Sequence, residues 1–209
     1  MNTLAQTLAA GKIVLASGNR GKLAELRELL GPLGLSLETA ADLGLPSPEE
    51  TGLTFVENAL IKARHAAKAT GMPSLADDSG LTVTALSGEP GVYSARYAGV
   101  DASDQDNVRK LLRELEHLAP ALRGASFHAC VVFLRHARDP APIICHGVWH
   151  GRILETPAGD GGFGYDPVFA APEYADRAAA ELTAEQKNQV SHRGKALRAL
   201  IDELQHSAS

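Results

Sequence analysis

The chain has 209 residues, 44% hydrophobic and 22% charged, and carries a net charge of −5 from 20 basic and 25 acidic side chains. This is globular composition, long enough for a single 1–209 domain with a real core. The acidic balance argues against a nucleic-acid partner but leaves room for a local basic pocket that takes a small anion. Cys130 and Cys145 are the only cysteines and lack CxxC spacing, which suits reduced, buried thiols in a cytoplasmic protein. No stretch approaches the ~18 apolar residues of a membrane span. The start, "MNTLAQTLAAGKIVLASG", lacks the regions of a secretion signal.

In chain order, "KIVLAS" (12–17) predicts a buried strand that breaks at "GNRG". "KLAELRELL" then sets Leu23, Leu26, Leu29 and Leu30 on one helical face, and "GPLG" stops that helix. A second helix is expected from Thr54, where "TFVE" has the capping-box pattern and Phe55, Ala59, Ala63 and Ala66 follow at helical spacing. It ends near "TGMP". "PSLA" reads as a short strand whose end delivers the adjacent acids Asp77 and Asp78, with "LTVTAL" extended beyond them. "GEPGVYSARYAG" (88–99) reads as loop. "SDQD" (103–106) starts a helix burying Val108, Leu111, Leu112, Leu115 and Leu118. "ASFHACVVFL" and "PIICHGVWHGRI" predict an antiparallel hairpin across "RHARDPA". "AGDGGFGYDP" is a second glycine-rich loop, "TAEQ" (183–186) another cap, and "GKALRALIDEL" a closing amphipathic helix. The fold class is α/β, a mixed sheet flanked by helices.

Four stretches carry chemistry. "SGNRGK" (17–22) puts backbone N–H groups and Lys22 at a helix start, with Ser17 and Asn19 beside them. That suits a phosphate cradle, or an ordinary strand–turn–helix connection; the Walker A spacing is absent. Asp77 and Asp78, followed by Ser79, suit Mg²⁺ or a solvated turn, and Glu50 is preferred over the capping Glu57 as a third metal carboxylate. "GGFGYDP" (161–167) could stack an aromatic on a planar ring or pack its own aromatics. In "KNQVSHRGK" (187–195), Lys187, His192 and Arg193 lie near a helix start that Ser191 could cap, or form a solvated basic face. No zinc spacing, GxSxG elbow or dinucleotide fingerprint occurs. Taken together the four describe one ligand: phosphates, a metal and a base.

"SGNRGK", "EETGLTFVENALIKA", "ADDSGL", "GEPGVYSARYAG", "GGFGYDP" and "SHRGKAL" closely resemble, in order from about residue 12 to 205, the noncanonical purine nucleoside triphosphate pyrophosphatases, the inosine triphosphatase family, and its bacterial form above all. The resemblance implies a bilobal fold with a long mixed sheet, a homodimer, Mg²⁺ dependence, and hydrolysis of dITP, ITP and XTP to monophosphate and pyrophosphate. It implies triphosphate contacts from Ser17, Gly18, Asn19, Arg20, Gly21 and Lys22, and Glu50, Asp77 and Asp78 at the metal. It further implies Asp78 as the catalytic proton acceptor, and substrate contacts from Ser79, Lys62, Phe163, Gly164, Tyr165, Asp166, Lys187, His192 and Arg193. Residues 1–11 have no counterpart in a compact member and read as a peripheral leader.

Base choice is expected to follow hydrogen-bond polarity: Arg193 and loop N–H groups would donate to a 6-keto oxygen and refuse adenine's amino group. Two other readings compete. One is a house-cleaning pyrophosphatase for modified pyrimidine nucleotides, against which "FGYDP" and "SHR" argue. The other is a noncatalytic nucleotide-binding module, against which the acids argue.

Overall fold

The protein is described by a computed structural model over residues 12–31 and 35–206; the expected leader (1–11) and most of the "GPLG" stop lie outside the described residues. Seven strands form one sheet in the order β2-β1-β3-β4-β5-β6-β7. The buried run gives β1 (Lys12–Leu15), and helix α1 (Arg20–Leu30) follows it, capped by Asn19, whose side chain accepts from the Lys22 N–H. α1 leads to β2 (Ser36–Thr39), which pairs parallel with β1. The sequence reading passes over β2, because four half-exposed residues show no period. α2 (Phe55–Thr70) starts with the expected Thr54–Glu57 capping box and ends at Gly71. β3 (Ser74–Val83) then returns parallel to β1.

β3 corrects one expectation. It runs ten residues without a break, so Asp77 and Asp78 sit inside a strand and not at its end. The 88–99 segment also departs from plain loop, with a 3-10 helix over Gly91–Arg96. Past it come α3 (Asp104–Leu115), β4 (Gly124–Leu134) and β5 (Ile143–Ile153), the last two neighbours in the sheet. α3 ends before Leu118, which with Leu112 is only partly buried. Two short strands missing from the sequence reading, β6 (Phe169–Ala171) and β7 (Arg177–Ala178), extend the sheet in antiparallel fashion. α4 (Ala184–Val190) is followed directly by α5 (His192–His206), with Ser191 at the junction.

The described chain divides into two compact units. The first holds residues up to Asp78, Ala129–Gly147 and the chain from Arg193; the second holds Ser79–His128 and Val148–His192. In the first unit the sheet has two dressed faces. Leu75 of β3 packs with Leu23, Leu26 and Leu30 of α1 and Ala196, Leu197, Leu200 and Leu204 of α5. Ala76, one residue on, packs with Ala59, Ala63 and Ala66 of α2. This is the strand's period of two, read against two different helix surfaces. The alanine face lets α2 lie close: Ser74 Oγ donates to the Ala63 carbonyl at 2.8 Å. The second unit has its own core, in which Phe127, Trp149 and Phe169 pack with Leu81, Leu111 and Tyr165.

Candidate active site

The alternation that sorts Leu75 from Ala76 also sorts the two aspartates. Asp78 follows Ala76 to the α2 face, where its Oδ1 accepts from Lys62 Nζ at 2.6 Å; Glu50 Oε1 lies 3.0 Å from the same ammonium. Asp77 follows Leu75 to the other face, where its Oδ2 lies 3.3 Å from Lys22 Nζ of α1 and accepts from Arg193 Nε of α5 at 3.3 Å. Arg193 Nη1 also donates to Glu25 of α1. The expected trio therefore does not assemble: among the described residues no three His, Cys, Asp or Glu side chains gather as metal ligands. Adjacent residues of a strand cannot both turn to one side, so the pair divides.

The two groups differ in their partners. Around Asp77, two carboxylates (Asp77, Glu25) face two cations (Lys22, Arg193). Around Asp78, the carboxylates of Asp78 and Glu50 both meet Lys62, and Lys22 also attracts Asp78. The donors of this second group are hard carboxylate oxygens, which fit Mg²⁺. Glu50 and Asp78 already converge on one positive centre, so they fit the metal better than the adjacent aspartates do as a pair.

Burial pushes the Asp78 carboxyl above the usual range, and attraction to Lys62 and Lys22 only partly offsets this. Burial works against the Lys62 ammonium too, but Asp78 and Glu50 outweigh it and hold Lys62 charged. For Lys22 burial wins: its ammonium is pushed down despite Asp77, with Arg193 and Lys62 adding repulsion. A buried cation so placed gains from any further anion that reaches it.

The "SGNRGK" turn is a helix start, as expected, but part of its polar equipment is spent locally. Asn19 Oδ1 accepts from the Lys22 N–H at 3.0 Å, and Ser17 Oγ accepts from the Asn19 N–H at 3.3 Å. Gly18 and Asn19 are exposed and Gly21 half-buried, while the side chain of Arg20 lies outside the described residues. Lys22 is the residue of this turn that joins the charged group.

In the second unit the "GGFGYDP" loop is built around Asp166, whose Oδ2 accepts from the Phe163 N–H at 2.9 Å and from Lys187 Nζ at 2.6 Å. Gly162 has φ +73°, and a Cβ there would land on the Asp166 carboxylate, so both backbone and space require glycine. Lys187 Nζ lies 4.8 Å from the centre of the half-buried Phe163 ring. Tyr165 donates from its hydroxyl to the Ser94 carbonyl at 2.9 Å, and the Gly164 N–H donates to Asp104 Oδ2 at 2.7 Å. His192 is buried and stacks on Phe127, ring centres 4.7 Å apart at 10°. Ser79 is half-buried in β3.

These contacts revise the expected donor set for the base. Arg193 is 1% exposed with Nε and Nη1 on carboxylates, and the Phe163 and Gly164 N–H groups are taken by Asp166 and Asp104. Arg193 thus joins Asp77 and Glu25 within the first unit. Asp166 and Tyr165 shape the loop through buried bonds to Phe163, Lys187 and Ser94.

Glu25 and Asp104 were missed from sequence. Glu25 lies three residues after Lys22 on α1, a same-face spacing that could have flagged it. Asp104 carries no comparable signal, since an acid in the first turn of a helix is ordinary.

The chain is similar to known proteins over nearly its whole length. The Ham1 family pattern matches residues 13–203. A dITP/XTP pyrophosphatase of Shigella flexneri is 57% identical over 195 residues, covering 93% of this chain and 98% of its own. The protein of the same name from Pectobacterium atrosepticum is 57% identical over 196 residues, covering 94% and 99%. Among solved structures, a HAM1 protein from Coxiella burnetii superposes with a TM-score of 0.86 at 52% identity, covering 93% of this chain and 98% of that one. With a match across nearly its whole length, the chain belongs to the Ham1 family.

Proposed function

We propose that the protein hydrolyses noncanonical purine nucleoside triphosphates (dITP, ITP and XTP) to the monophosphate and pyrophosphate, clearing them from the nucleotide pool. The observation that carries this reading is the pair of buried groups in the first unit, Lys62 with Asp78 and Glu50, and Lys22 with Asp77. The names of its relatives, dITP/XTP pyrophosphatases more than half identical to it, support the same substrate class.

Asp78 is the proposed catalytic residue. Set inside β3 it has little freedom to move, so its carboxylate can hold the attacking water in one orientation. It orients the attacking water and receives its proton. Lys22 and the N–H groups at the start of α1 hold the leaving pyrophosphate, and Lys62 neutralises charge beside Asp78. Glu50 and Asp78 are the residues proposed to hold Mg²⁺, which when bound neutralises phosphate charge. Asp77, first expected at that metal, serves instead as the buried anchor of Lys22 and Arg193.

Phe163 supplies a face for the purine ring, with Lys187 as the nearby cation. His192, stacked on Phe127, takes a supporting part in the same unit. The reading extends to a cytoplasmic homodimer, as the family resemblance implies.

A substrate panel tests the assignment. XTP, ITP and dITP are expected to turn over much faster than dATP or dTTP with Mg²⁺ present. Equal rates across the panel would reject the purine assignment, and faster turnover of modified pyrimidine triphosphates would favour the competing reading.

A further inference from the structure

Three consecutive backbone N–H groups, those of Gly52, Leu53 and Thr54, donate to side chains in the first turn of α2. Leu53 and Thr54 both reach Glu57 Oε2 at 2.9 Å, and Thr54 Oγ1 reaches the same oxygen at 2.8 Å. These bonds belong to the helix cap. The third does not: the Gly52 N–H donates to Asn58 Oδ1 at 2.8 Å, one residue beyond the capping box.

Asn58 is fully buried, and its Nδ2 has no hydrogen-bond partner among the described residues. An unsatisfied buried donor is destabilising, so packing alone would favour an apolar side chain here. What the amide offers is its oxygen, and that oxygen goes to Gly52. The approach is tight enough that Gly52 tolerates no side chain. A Cβ would fall 2.5 Å from Glu57 Cβ and 2.7 Å from Asn58 Oδ1.

Gly52 lies two residues after Glu50, whose carboxylate is 3.0 Å from Lys62 Nζ. Asn58 and Lys62 are four apart on α2 and so share a helix face. The segment carrying Glu50 is thus tied to α2 at two points one turn apart, its backbone by Asn58 and its side chain by Lys62.

We infer that Asn58 is the positioning residue for Glu50, clamping the Gly52 backbone so that the carboxylate stays beside Asp78, ready for a divalent cation. The inference rests on the reading of Glu50 as a metal carboxylate.

The test uses Mn²⁺ as probe on the full chain without nucleotide, with free Mn²⁺ followed by electron paramagnetic resonance. Asn58→Leu keeps the branched shape while removing the acceptor, and Gly52→Ala breaks the same contact from the other side. Each is expected to weaken Mn²⁺ binding about tenfold, the scale of losing a residue that orients a ligand. Glu50→Gln should weaken it at least as much, and adding Asn58→Leu to Glu50→Gln should weaken it no further.

Asn107→Ala provides the stability control. Asn107 is a buried amide of the second unit whose Oδ1 accepts from the Ala98 N–H. It should lower the melting temperature and leave Mn²⁺ affinity alone. Wild-type Mn²⁺ affinity in Asn58→Leu, or full additivity with Glu50→Gln, would overturn the inference while leaving Glu50 at the metal. No effect of Glu50→Gln would overturn the metal reading and the inference together.

Discussion

The two faces of β3 in the first unit carry neighbouring aspartates with different partners. On the α2 face, Asp78 and Glu50 both meet Lys62. On the face covered by α1 and α5, Asp77 and Glu25 are matched by Lys22 and Arg193. One residue of strand register separates the two.

The strongest way to break this comparison is to neutralise each aspartate in turn. Asp78→Asn is expected to cut turnover about 100- to 10,000-fold, the range for losing a general base. The melting temperature should hold, because Lys62 keeps Glu50 as partner. Asp77→Asn should act through stability. It removes the carboxylate between Lys22 and the buried Arg193, and breaking a buried pair costs on the order of 3 kcal/mol. Chemical denaturation of both variants checks the contrast; an Asp77→Asn protein as stable as wild type but inactive would reverse the two roles.

The second unit sharpens the comparison from outside. Phe163→Ala should weaken purine triphosphate binding by about 1–3 kcal/mol, the usual loss of one stacked base. It should show as a raised KM for every purine tested, with Mn²⁺ affinity unchanged. A change confined to kcat would contradict the stacking role.

The smallest expected effect concerns Cys130, which packs on the α2 face with Ala76. Burial, with Asp77 and Asp78 adding repulsion, pushes its thiol up to about 12. Alkylation by iodoacetamide at pH 8 should therefore be very slow in the native protein and fast once it is unfolded. Rapid native labelling would show that the α2 face is open to solvent.

The parts of the fold legible in the sequence were those with a period. The leucines of α1, the capping boxes at Thr54 and Ser103, and the long runs of β4 and β5 announce themselves over ten residues or more. β2, β6 and β7, of two to four residues, are too short to repeat anything, and their pairing comes from neighbours distant in sequence. The chemistry-bearing residues were recognisable by type, but their partners were not. That Asp77 and Asp78 part company follows from strand alternation, and became visible only once β3 was seen to run unbroken through both. The partners of Arg193 were hidden because its reach to Asp77 and Glu25 spans most of the chain.

The central claim is cleavage between the α- and β-phosphates, with Asp78 serving the attacking water. Phosphorus-31 nuclear magnetic resonance of XTP incubated with the protein and Mg²⁺ tests it most directly. The account predicts XMP and pyrophosphate appearing in equal amounts, and neither with Asp78→Asn. XDP with inorganic phosphate, or undiminished turnover by Asp78→Asn, would contradict it.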